Sequence, residues 1–128
     1  MERDPQNEEI VYRTIGGCSP AIARGTYRGA TFDLRARWNT WDFVMTSSSE
    51  YSATDIASLC WYDLDLTQKS EQPFPEAMVQ AFREAFVRTG DYGAPGSYAA
   101  SYMPEDEIMR LVRAMVAEYE SSRPKMDP

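Results

Sequence analysis

The chain has 128 residues, of which 43% are hydrophobic, 26% charged and 12% aromatic, and 20 acidic against 13 basic side chains give a net charge of −7. This composition predicts a single globular domain over 1–128 and excludes a disordered chain or a collagen-like repeat. An acidic chain lacks the basic surface on which phosphate binding depends, so we expect no direct nucleic-acid ligand. No apolar run approaches the roughly 20 residues that span a bilayer, so the sequence predicts no membrane-spanning helix.

The two ends of the chain are polar, and we expect residues 1–9 and 121–128 to be flexible tails. The first nine residues are acidic and contain no apolar core, which argues against a signal peptide and favours a cytoplasmic protein. The first strand is expected over residues 10–15, a β-rich run that stops at Gly16 and Gly17.

Strict alternation over residues 30–38 predicts a strand with one buried and one solvated face. Its apolar positions are Ala30, Phe32, Leu34, Ala36 and Trp38. The parity reverses after Asn39 and Thr40, which predicts a hairpin that turns at these two residues. In that register Trp38 lies opposite Trp41 on the buried face, and Arg37 lies opposite Asp42 on the other face.

The second half of the chain contains one more strand pattern and two helix patterns. The alternation over 59–66 predicts a strand with Tyr62, Leu64 and Leu66 facing inward. A first helix is expected to begin at Pro75 and to stop at Gly90, and a second begins at Pro104. The apolar stripes are Met78, Phe82, Ala85 and Phe86 in the first, and Ile108, Leu111, Val112, Met115, Val116 and Tyr119 in the second.

Strands followed by helices indicate an α+β fold. We expect an antiparallel sheet of about four strands in the N-terminal two thirds of the chain. The two C-terminal helices are expected to pack on one face of this sheet.

The chain contains no histidine, and this bounds the chemistry. The commonest general base and the usual metal ligand are both missing. Cys18 and Cys60 cannot supply the four ligands of a zinc site, and we expect two free thiols, with a disulfide between them left open. Asp63 and Asp65 share a strand face at a spacing compatible with Mg²⁺ or Ca²⁺, although such acids are more often simply solvated. We therefore expect no metal and no cofactor, and we favour a non-enzymatic role while leaving activity open.

The favoured function is that of an intracellular interaction protein of the inhibitor or immunity type. The segment 91–103 places tyrosines among small residues, a composition typical of adaptable binding loops. An acidic surface steers a protein toward a partner with a basic surface, so another protein is the expected partner. The predicted contact residues are Tyr92, Tyr98, Tyr102, Glu105, Asp106 and Glu107.

Two other functions stay open. The first is a small-ligand-binding domain, or an enzyme that works without histidine, with a pocket between the sheet and the helices. Its predicted contact residues are Arg28, Asp33, Arg35, Trp38 and Trp41, and the third tryptophan, Trp61, is a further candidate for the pocket wall. The second is a homo-oligomeric structural subunit, such as a homodimer through the last helix.

Overall fold

The sheet is an antiparallel meander in which every strand pairs with its neighbour in sequence. The computed structural model describes residues 9–18 and 20–122, and these ranges contain five strands. Most of the predicted tails, residues 1–8 and 123–128, lies outside the described residues. Glu9 instead pairs with Arg28, and Ser121 and Ser122 belong to the last helix. The strands are β1 (Ile10–Gly16), β2 (Ala21–Tyr27), β3 (Ala30–Arg37), β4 (Thr40–Thr46) and β5 (Phe86–Asp91).

Four helices accompany the sheet within the described ranges, and the fold is α+β as the sequence predicts. They are α1 (Ala53–Ile56), α2 (Leu64–Gln68), α3 (Glu76–Glu84) and α4 (Glu105–Ser122). Two short 3₁₀ helices lie at Ala57–Trp61 and Ala100–Tyr102. Among the described residues, no helix is both long and apolar enough to cross a membrane.

The first face of the sheet carries the larger core and is covered by α4. The predicted alternation of β3 is confirmed at Ala30, Phe32, Leu34 and Ala36, which are all buried on this face. From the predicted stripe of α4, the residues that close this core are Ile108, Val112, Val116 and Tyr119.

The second face carries a smaller core that is covered by α1, the first 3₁₀ helix and α3. Val44 and Val87 are cross-strand partners on this face, and Ile56 and Ala81 pack in the same cluster. The two helices that the sequence predicts therefore lie on opposite faces of the sheet instead of sharing one. The reason is that β4 and β5 have apolar residues on both faces of the sheet. A single layer of helices would leave one of these two apolar faces exposed to water.

The predicted strand over 59–66 is wrong, and β5 is a strand that the sequence reading missed. Residues 59–61 end the first 3₁₀ helix, residues 64–66 begin α2, and Leu66 is 69% exposed instead of pointing inward. Asp63 caps α2 by accepting the Leu66 N–H over 3.2 Å, so its alternation with leucines reflects a helix start. The predicted helix after Pro75 ends at Glu84, because Ala85 is already extended at ψ 158°.

The β3–β4 hairpin turns at Trp38 and Asn39, one residue earlier than the sequence predicts. Arg37 therefore pairs with Thr40, and it is Arg35 that lies opposite Asp42. The partner of each β3 residue shifts by two positions, which leaves every side chain within the two strands on its predicted face. Trp38 is the exception, because it sits in the turn itself and is 57% exposed.

Candidate ligand-binding site

The connection between β4 and β5 folds back onto the second face of the sheet and carries Trp61 with it. A capping box starts α1, in which Ser52 accepts the Asp55 N–H over 3.2 Å and Asp55 accepts the Ser52 N–H over 2.8 Å. The Ala53 N–H donates to the Thr31 hydroxyl on β3 over 2.8 Å. This contact ties the start of the connection to the sheet, and the 3₁₀ helix that follows ends at Trp61.

Trp61 lies over the charged end of the second face. The guanidinium carbons of Arg35 and Arg37 lie 5.2 and 5.5 Å from its ring centroid. Its indole N–H donates to Asp42 Oδ2 over 2.8 Å. Because both cations and the acceptor come from β3 and β4, the sheet fixes the position of the ring.

Asp33 anchors the arginines from beneath. Its side chain is fully buried and accepts a hydrogen bond from Arg24 Nε over 2.8 Å and one from Arg35 Nε over 3.1 Å. A buried carboxylate needs such partners, since leaving water is costly for a charge. Asp33 therefore engages two of the three arginines on this face, Arg24 and Arg35.

The third arginine, Arg37, has no partner for its hydrogen-bond donors among the described residues. Its Nε is buried and donates to no protein atom, and no carboxylate of these residues forms an ion pair with it. Its guanidinium lies against the Trp61 ring. A buried donor without an acceptor costs about 1–3 kcal/mol, so the Nε atom leaves Arg37 incompletely satisfied. The two terminal nitrogens of the same partly exposed side chain are engaged by no described residue, and they are the donors that an acceptor from outside the chain can reach.

Trp38 is held at the hairpin tip in a strained backbone conformation. Its φ of 57° lies in the left-handed region, which a bulky aromatic residue rarely adopts. The Trp38 N–H donates to the Ser101 hydroxyl over 2.7 Å, and the Trp38 carbonyl accepts the Ala100 N–H over 2.6 Å. Strain of this kind persists only where the surroundings enforce it, and here the second 3₁₀ helix does so.

These elements enclose a cleft of about 790 Å³ at the end of the sheet where β3 and β5 end and β4 begins. We call it the tryptophan cleft, because it brings together all three tryptophans of the chain. Its volume falls within the range of about 300–1,000 Å³ that is usual for small-molecule sites. Its lining is Arg35, Arg37, Trp38, Thr40, Trp41, Asp42, Trp61, Thr89, Gly90 and Asp91.

Gly90 has a specific place in this wall. A Cβ atom at this position would lie 2.4 Å from Cζ2 of Trp41, closer than side chains approach in proteins. The absence of a side chain lets the indole of Trp41 lie flat against β5. The sequence reading assigned Gly90 to a helix end, whereas its structural role is close packing inside a strand.

The structure separates the residues predicted for a small-ligand site. Arg35, Trp38 and Trp41 line the tryptophan cleft, as does Trp61. Asp33 lies behind the cleft as the anchor of Arg35. Arg28 is at the opposite end of the sheet in the β2–β3 turn, where it pairs with Glu9 and Glu120.

Sequence reasoning missed Arg37, Asp42, Thr89 and Asp91 as cleft residues. The sequence alternation already placed Arg37 and Asp42 on the face opposite the main core. Thr89 and Asp91 are not apparent from the sequence, because its pattern predicts the end of a helix and a connection where β5 lies.

The residues predicted for partner binding fall into two groups. Tyr98 and Tyr102 are 64% and 66% exposed, and Glu105 and Asp106 are exposed beside them at the start of α4. Tyr92 instead packs against the first-face core, and its N–H donates to the Asn39 carbonyl over 2.7 Å. Glu107 is half-buried and pairs with Arg110 at 3.6 Å.

The cysteines are both free, and they differ in environment. Cys18 is exposed, whereas Cys60 is partly buried under the sheet. Burial, together with the nearby Asp42 carboxylate, raises the pKa of the Cys60 thiol to about 12. Such a thiol stays protonated and is a poor nucleophile at neutral pH.

Within the part of the chain that the structure describes, no three Cys, Asp or Glu residues cluster as metal ligands would. Asp63, one of the two acids considered for Mg²⁺ or Ca²⁺, is engaged as the cap of α2.

Comparison of the chain with models of protein families, with curated proteins and with solved structures finds no match.

Proposed function

We propose that this protein is a binding protein that takes an anionic ligand into the tryptophan cleft. The observation that carries the proposal is the guanidinium of Arg37, which lies against Trp61 and has no hydrogen-bond acceptor or ion-pair partner among the described residues. Guanidinium presents five N–H donors in a planar fork that matches a carboxylate or a phosphate. A ligand anion would pair with the outer donors of this fork, which no described residue engages.

The tryptophans would receive the uncharged body of the ligand. Trp38 and Trp61 are both about half exposed, so their rings offer apolar area without first having to leave a core. Aromatic side chains with few precisely placed polar groups are typical of small-molecule sites. A planar or apolar group attached to the anion is therefore favoured over a bare inorganic ion.

A cationic ligand fits the cleft less well, although Asp42 and Asp91 are part of its lining. An aromatic site for a cation needs free ring faces, and two guanidinium groups already lie over Trp61. Asp42 is in turn engaged by the Trp61 indole N–H. The arrangement favours an anion.

The test is a titration with matched pairs of small probes that differ only in charge. Indole-3-acetate and benzoate are compared with indole-3-acetamide and benzamide, with inorganic phosphate as a third probe, by calorimetry and tryptophan fluorescence. We expect each carboxylate to bind at least about tenfold tighter than its amide, since a charge-assisted pair contributes about 1.5–3 kcal/mol. Arg37→Gln should abolish the difference.

The matched control is Arg13→Gln, which removes an exposed arginine of β1 that is outside the cleft lining. This variant should bind the probes as the wild type does, and a melting curve checks that both variants are folded. Equal binding of carboxylate and amide, or an undiminished preference in Arg37→Gln, would contradict the proposal.

We propose as a second candidate that the same end of the molecule binds another protein with a basic surface, in an inhibitory or immunity-type role. The specific observation is the exposure of Tyr98 and Tyr102 beside the acidic start of α4. Tyrosine and tryptophan are over-represented among residues that dominate binding energy at protein interfaces. The hydrogen bonds between Trp38 and the second 3₁₀ helix place Tyr102 next to the hairpin tip.

This candidate is tested by affinity capture from lysate at low and high salt, with and without nuclease, using the wild type and a Tyr98→Ala, Tyr102→Ala double variant. We expect a stoichiometric protein that is released at high salt and lost in the double variant. Tyr62→Ala serves as the control, because Tyr62 is the same residue type and is also more than half exposed, but its ring packs on Phe74. Capture that survives in the double variant, or that needs nucleic acid, would count against the tyrosines as the contact.

A further inference from the structure

The tryptophan cleft has opposite charges on its two sides. Arg37 on β3 pairs with Thr40 on β4, and Thr40 pairs with Asp91 on β5, so the three residues form one cross-strand row on the second face. Two strand spacings of about 4.8 Å each put the Cα atoms of Arg37 and Asp91 about 10 Å apart. The row thus has a cation at one end and a carboxylate at the other.

Neither charge is neutralised within the described part of the chain. Asp91 is exposed and forms no ion pair or side-chain hydrogen bond within the described ranges, and the same is true of Arg37. Thr40 does not connect them, because its hydroxyl donates to the Arg37 carbonyl over 3.3 Å. In the neighbouring row, Asp42 is held by Trp61. Asp91 is therefore the carboxylate of this wall that is free to meet a ligand.

We infer that the ligand is zwitterionic, with its anion on Arg37 and an ammonium group against Asp91, and that its chemical class is a short free peptide. The inference rests on the proposed function and adds the second charge. An extended chain spans about 3.3–3.6 Å per residue, so two or three residues bring the two termini to the separation of Arg37 and Asp91. A single amino acid spans only about a third of this Cα separation. The side chain of the peptide would contact the tryptophans.

The experiment compares four forms of the tripeptide Ala-Phe-Ala by calorimetry: unblocked, N-acetylated, C-amidated and blocked at both ends. We expect the unblocked form to bind tightest. Acetylation should weaken binding at least about fivefold and amidation at least about tenfold, and the doubly blocked form should bind weakest. The loss on acetylation measures the contribution of the ammonium group to the affinity, and the loss on amidation measures that of the carboxylate.

Variants assign each loss to a residue. Asp91→Asn should remove the penalty of acetylation and leave that of amidation, whereas Arg37→Gln should do the reverse. Asp65→Asn, an exposed acid on α2 outside the cleft lining, is the matched control and should change neither. Asp91 is exposed, so its variant is expected to fold, and a melting curve checks this.

The outcomes separate the inference from the proposed function. If amidation weakens binding but acetylation does not, the anion site stands and the zwitterion is overturned. If neither modification matters, both ideas fail. A blocked peptide that carries its charges on side chains, Ac-Lys-Phe-Glu-NH₂, gives the last arm. If it binds and unblocked Ala-Phe-Ala does not, the ligand is a charged segment of a longer chain and the free-peptide assignment is wrong.

Discussion

The backbone N–H of Ala100 donates to the carbonyl of Trp38 over 2.6 Å, across the gap between the second 3₁₀ helix and the β3–β4 turn. Together with the bond from the Trp38 N–H to the Ser101 hydroxyl, it engages both backbone polar groups of a residue in the left-handed region. The orientation of one wall of the tryptophan cleft therefore depends on a segment more than 60 residues later in the chain.

The positive φ of Trp38 predicts that glycine at this position gives a more stable protein than alanine, the reverse of the order expected within a helix. At φ 57° an L-residue costs roughly 1–2 kcal/mol relative to glycine, so Trp38→Gly should be more stable than Trp38→Ala by about 1 kcal/mol. At Ala114, exposed within α4, replacement by glycine should instead cost about 1 kcal/mol. Urea unfolding of the variants measures both differences. Equal stability of the two Trp38 variants would show that the wild-type strain has another origin.

Gly90→Ala should destabilise the protein and disturb the cleft. The added Cβ would meet the Trp41 ring at 2.4 Å, and overpacking of this kind costs about 1–3 kcal/mol. The measurement is the free energy of unfolding together with the tryptophan fluorescence spectrum. In a Trp41→Ala background the same substitution should cost less than about 1 kcal/mol, because the clashing ring is gone. An undiminished cost there would place the strain elsewhere in β5.

Asp33→Asn should lower the free energy of unfolding more than any substitution of an exposed acid does. The variant leaves Arg24 and Arg35 without their common carboxylate, and loss of one partner from a buried pair costs about 3–5 kcal/mol. Because the side chains of the two arginines are 28% and 16% exposed, we expect about 2–4 kcal/mol. Asp65→Asn is the control and should change stability by less than about 0.5 kcal/mol. The comparison is made by urea unfolding at neutral pH, and equal losses in the two variants would contradict the structural role of Asp33.

The raised pKa of the buried Cys60 thiol predicts that the folded protein loses stability at alkaline pH. The pKa of its thiol is raised from 9.0 to about 12 in the folded state, so the unfolded chain releases the proton first. The stabilisation is therefore complete well below pH 9 and is lost as the pH rises toward 12, with about 1 kcal/mol lost between pH 9 and pH 10. Burial also raises the pKa of Tyr12 and of Tyr27 above the ordinary value of 10.0, so their contribution is lost as the pH rises above about 10.

The check is the free energy of unfolding between pH 8 and pH 10 for the wild type, Cys60→Ala and Cys18→Ala. The Cys60 variant should show the shallower decline, whereas removal of the exposed Cys18 should leave the wild-type profile unchanged. Parallel profiles for the wild type and Cys60→Ala would contradict the assignment.

The elements that can be predicted from the sequence are those that bury only one face, because that burial alone sets their hydrophobic periodicity. Residues 30–37 alternate because one side of β3 is buried under α4, and the stripe of α4 is its complement. The sequence places the turn one residue too late, because Trp38 occupies a left-handed turn position that favours glycine, asparagine or aspartate. Its hydrogen bonds to Ala100 and Ser101 hold tryptophan in this conformation.

The errors in the second half have a common cause. The sequence pattern places Phe86 in the apolar stripe of a helix. In the structure Phe86 belongs to β5, and its ring packs edge-on against the rings of Phe43 and Tyr119. Tertiary contacts thus overrode local periodicity, as they can for short apolar runs. The same holds for the site: composition identified three tryptophans as candidates, but the position of Trp61 over Arg37 follows from a 3₁₀ helix that no local pattern indicated.

The order of the strands also bears on how the molecule folds. The first four strands are joined by short turns, so their pairing closes only small loops, whereas β5 joins after the whole 47–85 connection. Because closing a longer loop costs more entropy, we expect β5 to dock last and to be the first strand to open. Thr89, Gly90 and Asp91 arrive with it, so the cleft is completed only in the final step of folding. A bound ligand would then slow hydrogen exchange in β5 more than in the rest of the sheet.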